Sequence, residues 1–207
     1  MDHVEGLFPI PLLRSERLVP ADLIAALTGN IERASTEQNL RSAALFHTDV
    51  SDPRGDPLFS RLTELVTPKL VDFGVLLFGE RLQWIVKEMW TNVLETGGNQ
   101  VMHSHANSFI SGVLYLTESD PRCRTVFVRP PGGFDYSFRH HTRSAQMGPY
   151  NAGKYLLPEA NPGDVVLFPS YLYHEVPVNP GARRLTVAFN AMPHELDCWG
   201  YRIRFSP

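Results

Sequence analysis

The sequence predicts an α+β protein in which helices pack on an antiparallel β-sandwich or barrel. Apolar residues recur at helical spacing only in the first third of the chain, and from Leu82 onward the hydrophobic period changes to two. Short strand-like runs separated by glycine and proline then continue almost to the end. Helices followed by many short strands are typical of this fold class.

Two helices are predicted before the strands begin. The first lies within residues 21–34, where four leucine and isoleucine residues share one face. The second starts after Asp56, a suitable N-cap, and Pro68 predicts that it ends or kinks there. The apolar stretch 71–78 is compatible with a helix or a strand.

The strand pattern starts at Leu82, where alternation continues to Asn92 and places Trp84 and Trp90 on one face, as core residues. A turn is predicted at 97–99. Further strands are predicted at 100–105, 108–117, 125–129, 164–169, 184–190 and 198–205. The stretch 130–162 lacks a period and is predicted as a long loop that borders a functional site.

Composition favours one domain over residues 1–207, with an N-terminal strand and helices in 1–80 and a core in 81–207. The net charge of −3 does not indicate a nucleic-acid-binding protein. Two cysteines form no disulfide framework. The first residues do not resemble a signal peptide, and no apolar stretch is long enough to cross a membrane, so we expect a cytoplasmic protein. A homodimer is left open.

Three histidines predict a metal site. His103 and His105 are two apart on a predicted strand, so their rings point to the same side, and His174 follows the strand 164–169. Three ligands with open positions are typical of a non-haem iron site, although imidazole also suits zinc, copper and nickel. A carboxylate such as Glu175 or Asp120 could replace one histidine.

An arginine is predicted to lie close to this site. Arg184 opens the strand 184–190 and shares one face with Thr186 and Asn190. A guanidinium that faces the interior needs an anion, and its planar fork suits a carboxylate.

Several segments together resemble the superfamily of iron(II)- and 2-oxoglutarate-dependent oxygenases and, within it, the putative 2OG-Fe(II) oxygenase group with an H-x-H...H...R pattern. They are 6–11 (GLFPIP), 103–105 (HSH), 107–116 (NSFISGVLYL), 162–169 (PGDVVLFP) with His174, and 184–190 (RLTVAFN). The resemblance implies a double-stranded β-helix, or cupin-like jelly-roll, with flanking helices packed on one sheet. It also implies oxidative decarboxylation of the co-substrate 2-oxoglutarate to succinate, with Fe(II) and dioxygen, coupled to hydroxylation of a second substrate.

The resemblance implies a role for each site residue. His103, His105 and His174 would be the catalytic metal ligands, and Arg184 would bind the C5 carboxylate of 2-oxoglutarate with help from the Tyr115 hydroxyl. Weaker candidates for contacts in the pocket are Thr186, Ser108 and Asn92. The substrate, a small molecule or a peptide, is not identified, although basic residues in the loop 130–162 (Arg139, Arg143 and Lys154) would favour an acidic one.

One position departs from the family pattern. Most of these oxygenases have H-x-D where this chain has His103 and His105. Three neutral imidazoles leave a charge near +2 at the metal, one unit more than two histidines and a carboxylate. Two alternatives therefore stay open: a cupin-like three-histidine dioxygenase or isomerase without oxoglutarate, because Gly163, Pro169 and His174 nearly match a cupin motif, or a metal-binding protein without catalysis.

Overall fold

The structure is a computed structural model that describes residues 2–31, 33–34, 36–130 and 142–205. The helices are α1 (Ala21–Ile31) and α2 (Pro57–Phe78). The strands are β1 (Leu13–Ser15), β2 (Glu37–Gln38), β3 (Leu45–His47), β4 (Trp84–Leu94), β5 (Gln100–His103), β6 (Ile110–Tyr115), β7 (Val126–Val128), β8 (Lys154–Leu156), β9 (Val165–Pro169), β10 (His174–Val176), β11 (Arg184–Pro193), β12 (Glu195–Cys198) and β13 (Tyr201–Arg204).

Helix α2 begins where the sequence predicts and ends later. The Asp56 carboxylate accepts hydrogen bonds from the backbone N–H groups of Leu58 and Phe59, at 2.7 and 3.3 Å, which satisfies two unpaired donors of the first turn. The helix continues through Pro68 as far as Phe78, so Pro68 does not end it, and residues 71–78 are helical. Buried apolar side chains on both sides of Pro68 hold the helix on the sheet and outweigh the lost hydrogen bond.

Two sheets form the β-structure that surrounds the cleft. The larger has seven strands in the order β1-β9-β6-β11-β4-β3-β2, and the smaller has four in the order β5-β10-β7-β8. Both helices pack on one face of the larger sheet, where Leu27, Leu62 and Phe73 join the core residues of β4, β6, β9 and β11. A second apolar cluster, which includes Phe127 and Phe168, joins the two sheets. The structure confirms an α+β fold with a jelly-roll core and helices on one sheet.

A β-bulge in β4 changes which residues face the smaller sheet. Asn190 of β11 pairs with Glu88, but the next residue, Ala191, pairs with Val86, so Lys87 has no partner across the ladder. The extra residue reverses the alternation. Trp84 packs in the core below the helices, whereas Trp90 lines the cleft on the other face. The prediction that these two tryptophans share a face is therefore wrong.

The end of the chain forms a hairpin instead of the single strand predicted at 198–205. Strands β12 and β13 pair around Trp199 and Gly200, both of which have positive φ, 60° and 86°. Two consecutive residues with positive φ form the tight turn that matches the twist of a hairpin. Within the described residues, no helix combines the length and the apolar character that a membrane span needs.

The predicted loop 130–162 is only partly irregular. Residues 131–141 lie outside the described part of the chain, and further along strand β8 pairs with β7 at the edge of the smaller sheet. The β8 side chains are exposed, so no apolar alternation marks this strand in the sequence.

Candidate metal centre

The three predicted histidines converge at one end of the cleft. His103 is the last residue of β5, and His174, the first of β10, is its direct partner across the ladder. His105 lies two residues beyond the end of β5, where its backbone N–H donates to the Ser170 carbonyl at 3.0 Å. The expectation that His105 belongs to the same strand is therefore wrong. One ligand nitrogen from each ring lies within 4.8 Å of the other two.

Backbone carbonyls orient two of the three rings. The Nδ1 atom of His103 lies 2.9 Å from the Val101 carbonyl oxygen, and that of His174 lies 3.0 Å from the Leu172 carbonyl oxygen. A carbonyl oxygen only accepts, so in the neutral rings Nδ1 carries the hydrogen. The lone pair is then on Nε2, the atom that can bind a metal, and at His103 this atom lies 3.4 Å from the Gln100 side-chain amide nitrogen.

The third ring is oriented by side chains. The Nδ1 atom of His105 lies 2.7 Å from Asn190 Oδ1 and 2.8 Å from Ser111 Oγ. The Ser111 hydroxyl is also 2.8 Å from Ser170 Oγ, and Ser170 donates to Ser108 Oγ at 2.8 Å. A buried polar network thus fixes the position of His105, although this residue lies outside regular structure.

Burial keeps the three imidazoles neutral. Loss of water around the rings lowers the pKa of His103 below its usual value, that of His105 to about 4 and that of His174 to about 3. The neighbouring rings add to this effect at His105 and His174, because two positive charges so close together repel. Neutral imidazole is the form that binds a metal, so near neutral pH the site does not have to lose protons to bind one.

Arg184 lies buried in the same cleft, only 4% exposed. Its Nε donates to Ser119 Oγ at 3.1 Å and its Nη2 to Thr125 Oγ1 at 3.3 Å. The Tyr115 hydroxyl lies 3.0 Å from the same Thr125 oxygen, and the Tyr115 ring is 5.2 Å from the guanidinium carbon. Among the residues that the structure describes, no carboxylate forms an ion pair with Arg184.

The cleft brings the predicted residues together with several that were not predicted. Its lining includes the three histidines, Arg184, Thr186 and Asn92, all named from the sequence. Sequence reasoning did not identify the lining residues Thr125 and Gln100, nor Ser119, which is not part of the lining but accepts a hydrogen bond from Arg184. The remaining lining residues are Trp90, Val113, Val176 and Ala188.

Among the described residues, the other candidates do not belong to the cluster of possible metal ligands. Glu175 pairs with Lys154 at 2.6 Å, and Asp120 pairs with Arg122 at 2.9 Å, so both carboxylates that could replace a histidine are engaged elsewhere. The single hydroxyl hydrogen of Ser108 is shared between the carbonyl oxygens of Ile110 and Ala191, 3.1 and 3.2 Å from Oγ, and Oγ accepts from Ser170. Arg139, named as a basic residue of the loop, lies outside the described residues.

A comparison with protein families gives one match over the part of the chain that builds this site. The family described as "Putative 2OG-Fe(II) oxygenase" matches residues 88–190, about half of the chain. The match starts in β4 and includes the three histidines and Arg184. The chain belongs to the 2OG-Fe(II) oxygenases. It is therefore an enzyme that depends on Fe(II), 2-oxoglutarate and dioxygen, which favours this function over the two alternatives left open by the sequence.

Solved structures of this oxygenase class share the fold. HygX from Streptomyces hygroscopicus, with nickel and 2-oxoglutarate bound, is 15% identical with a TM-score of 0.62, over 89% of this chain and 83% of that one. A Pseudomonas putida prolyl-4-hydroxylase is 18% identical with a TM-score of 0.61, over 89% and 93% of the two chains. The epimerase SnoN from nogalamycin biosynthesis is 12% identical with a TM-score of 0.64, over 90% and 80%. No curated protein matches the sequence.

Proposed function

We propose that the oxygenase hydroxylates a second substrate, with Fe(II) held by His103, His105 and His174 and 2-oxoglutarate held by Arg184. The donor set fits the metal, because three neutral imidazoles carry the lone pair on Nε2 and one ligand nitrogen from each ring lies within 4.8 Å of the other two. At His103 the metal would replace the Gln100 side-chain amide, which lies 3.4 Å from Nε2. When bound, Fe(II) would activate dioxygen as the oxidant, and 2-oxoglutarate would supply two electrons and take one oxygen atom in becoming succinate and CO₂, which leaves the other oxygen atom for a C–H bond of the second substrate.

The observation that carries the proposal is the buried guanidinium of Arg184. A buried cation without a carboxylate partner is costly, and the two hydroxyl acceptors, Ser119 and Thr125, carry no charge. A carboxylate of the co-substrate would supply that charge and use the remaining N–H groups as a pair of parallel donors. Because the cleft joins Arg184 to the three histidines, a short dicarboxylate could reach both.

The neighbours of Arg184 have supporting roles in this proposal. Thr125 lies between the guanidinium and the Tyr115 hydroxyl, so it positions both for the same carboxylate. Thr186 follows Arg184 on the same face of β11 and lines the cleft between that residue and the metal site. Tyr115, which is buried and not part of the cleft lining, therefore acts through Thr125.

The second substrate would enter beside the histidines. Trp90 lies next to His105, with ring centroids 5.6 Å apart, and offers an aromatic surface at that end of the cleft. The predicted preference for an acidic substrate loses support at Lys154, whose ammonium group is paired with Glu175. The chemical class of the substrate, a small molecule or a peptide, follows from neither residue.

Anaerobic calorimetry tests the assignment of the residues. Protein loaded with Fe(II) is titrated with 2-oxoglutarate, and wild type is compared with Arg184→Met, His174→Ala and Arg183→Met. Arg183 is the matched control, because it is the adjacent arginine but points to the surface, where it pairs with Glu95 at 2.7 Å.

We expect wild type and Arg183→Met to bind both the metal and 2-oxoglutarate. Arg184→Met should bind the metal but not 2-oxoglutarate, and His174→Ala should lose the metal. Retention of 2-oxoglutarate binding by Arg184→Met would overturn the role of the arginine. Full metal binding by His174→Ala would overturn the ligand set. Release of succinate with each candidate substrate then identifies the substrate that is hydroxylated.

A further inference from the structure

Glu88 is a carboxylate beside the metal site to which no role has been given so far. Its Oε1 accepts a hydrogen bond from Asn190 Nδ2 at 2.8 Å, and Asn190 Oδ1 lies 2.7 Å from Nδ1 of His105. An imidazole, an amide and a carboxylate therefore form one chain of hydrogen bonds that starts at a proposed metal ligand.

We propose that Glu88 and Asn190 are positioning residues for the proposed metal ligand His105. Glu88, which is linked to His105 through Asn190, supplies near the metal the negative charge that the neutral imidazole does not carry. The proposal rests on the ligand set proposed above. Three neutral imidazoles bring no negative charge to the metal, and a carboxylate, Glu88, is linked to His105 through Asn190.

The direction of each hydrogen bond in this chain is fixed. A carboxylate only accepts, so the Asn190 amide must turn its NH₂ group to Glu88 and its oxygen to His105. An amide oxygen also only accepts, so Nδ1 of the neutral His105 carries the hydrogen and Nε2 the lone pair. Glu88 thus selects, through Asn190, the tautomer of His105 that can bind a metal at Nε2.

The charge of Glu88 acts on the metal site through the same two hydrogen bonds, from Glu88 to Asn190 and from Asn190 to His105. Three neutral imidazoles leave the full charge of a divalent ion uncompensated. A carboxylate at the end of the chain polarises the amide, which makes the oxygen of Asn190 a stronger acceptor and the His105 ring a better donor of electrons to the metal. Lys87 Nζ lies 3.3 Å from Glu88 Oε2, but its side chain is more exposed, 39% against 23%, so water screens its charge more strongly.

The β4 bulge is what places Glu88 in this chain of hydrogen bonds. In a regular strand without the bulge, alternation would put Glu88 on the same face as Val86, where the apolar side chains of the helices pack. With the bulge, Glu88 lies opposite Asn190 on the cleft side of the sheet. Bulges are frequent next to active sites, where they redirect a side chain.

Binding of Co(II) under anaerobic conditions, followed through its visible absorption, tests the proposal without turnover. Glu88→Gln keeps a hydrogen-bond acceptor and removes the charge, and Asn190→Ala removes the whole connection. The double variant Glu88→Gln/Asn190→Asp moves the carboxylate next to His105 and keeps every hydrogen bond, with the Gln amide donating to the Asp carboxylate. Glu175→Gln is the matched control, because Glu175 adjoins His174, pairs with a lysine and is 26% exposed, but forms no hydrogen bond to a histidine.

We expect Asn190→Ala to weaken Co(II) binding by about 10- to 100-fold, the usual range for a residue that orients a ligand. Glu88→Gln should weaken it by about three- to tenfold and raise the Fe(III)/Fe(II) potential, while the double variant restores both values and Glu175→Gln changes neither. If Glu88 only supported the structure, moving its charge to residue 190 would not restore the Co(II) affinity or the potential.

The outcomes separate this proposal from the ligand assignment. The ligand set stands if wild type binds Co(II) and His174→Ala does not. In that case, a Glu88→Gln variant with a Co(II) affinity within about twofold of wild type and an unchanged potential would overturn the role of Glu88. If His174→Ala binds Co(II) like wild type, the ligand set itself is wrong. Unfolding midpoints of the apo variants show whether a change in affinity comes from a loss of fold.

Discussion

His103 and His174 are direct partners across the β5–β10 ladder, and their ring centroids lie 4.2 Å apart. The metal site is therefore built on a strand pair, in which a carbonyl of β5, that of Val101, holds the His103 ring and the Leu172 carbonyl, just before β10, holds the His174 ring. A metal bound to both rings would link β5 to β10 in addition to the hydrogen bonds between the strands. Metal binding and the stability of the smaller sheet should thus be coupled.

This coupling predicts that a metal stabilises the folded protein. At a free Co(II) concentration about 100 times its Kd, we expect the free energy of unfolding to rise by about 2.7 kcal/mol. Urea unfolding with and without Co(II) measures the increase, which should vanish in His103→Ala. His47→Ala is the control, because His47 lies on β3 outside the cluster and its variant should keep the full increase. Equal stabilisation of both variants would contradict the coupling.

The same burial predicts that the metal-free protein is less stable in acid. In the folded state the pKa of His105 is about 4 and that of His174 about 3, below the usual 6.5. Between these values and 6.5 the unfolded chain binds more protons, so the free energy of unfolding falls as the pH falls below 6.5. Each of these histidines contributes a slope of up to about 1.4 kcal/mol per pH unit.

Urea unfolding in the presence of a chelator, from pH 7.5 to 5, checks this dependence. His174→Gln removes one of the three rings whose pKa is lowered, so we expect its slope to be lower, by up to about 1.4 kcal/mol per pH unit. A slope equal to that of the wild type would show that His174 does not stay neutral in the folded protein.

Much of the site can be predicted from local sequence patterns, such as strand alternation and a helix N-cap. Alternation along 184–190 correctly places Arg184 and Thr186 in the cleft and Leu185 and Val187 in the core below the helices. The N-cap of α2 follows in the same way from Asp56 and the apolar stripe after it. These features depend on residues close together in the chain, so a periodic pattern is enough to predict them.

The features that the sequence does not predict depend on distant partners. Lys87 has no local signal of a bulge, because only its pairing with β11 shows that it is the extra residue. Thr125 carries no motif, and its role arises because folding places it between Tyr115 and Arg184. The contact of Asn190 with His105 joins residues 85 positions apart. Such contacts are set by tertiary structure, and a single sequence does not show them.

The position of Thr125 predicts a selective loss of co-substrate affinity. Thr125→Val removes the hydroxyl that accepts from Arg184 Nη2 and contacts the Tyr115 hydroxyl, so both groups lose a buried partner. We expect 2-oxoglutarate to bind about tenfold more weakly, in line with about 1 to 1.5 kcal/mol for one hydrogen bond, with metal affinity unchanged. Calorimetry on the metal-loaded protein measures both affinities.

Tyr115→Phe is the companion variant for this prediction. It leaves the bond between Thr125 and Arg184 in place, so we expect a smaller loss of 2-oxoglutarate affinity than in Thr125→Val. A larger loss in Tyr115→Phe would show that the tyrosine hydroxyl contacts the ligand itself and that Thr125 is not the group that connects them.

A buried ion pair holds the edge strand β1 to the rest of the larger sheet. Asp164 is 0% exposed, and its carboxylate lies 2.8 Å from Arg14 Nη2 while it accepts from the backbone N–H groups of Arg17 and Asn161 at 2.9 and 3.1 Å. Burial alone would raise the pKa of Asp164, but these N–H donors and the guanidinium outweigh it and lower the pKa. The carboxylate therefore adds stability that is present above the usual pKa of aspartate and is lost as the pH falls below it.

Asp164→Ala should destabilise the protein by about 3 to 5 kcal/mol, because it leaves Arg14 and two backbone donors without their acceptor. Arg14→Met should cost less, since Asp164 keeps both backbone donors and the arginine side chain is partly open to water. Urea unfolding at pH 7 measures both losses. Because the pair lies outside the cleft lining, the folded variants should bind Co(II) like wild type. A comparable loss of unfolding free energy in the two variants would show that the salt bridge contributes more than the backbone hydrogen bonds.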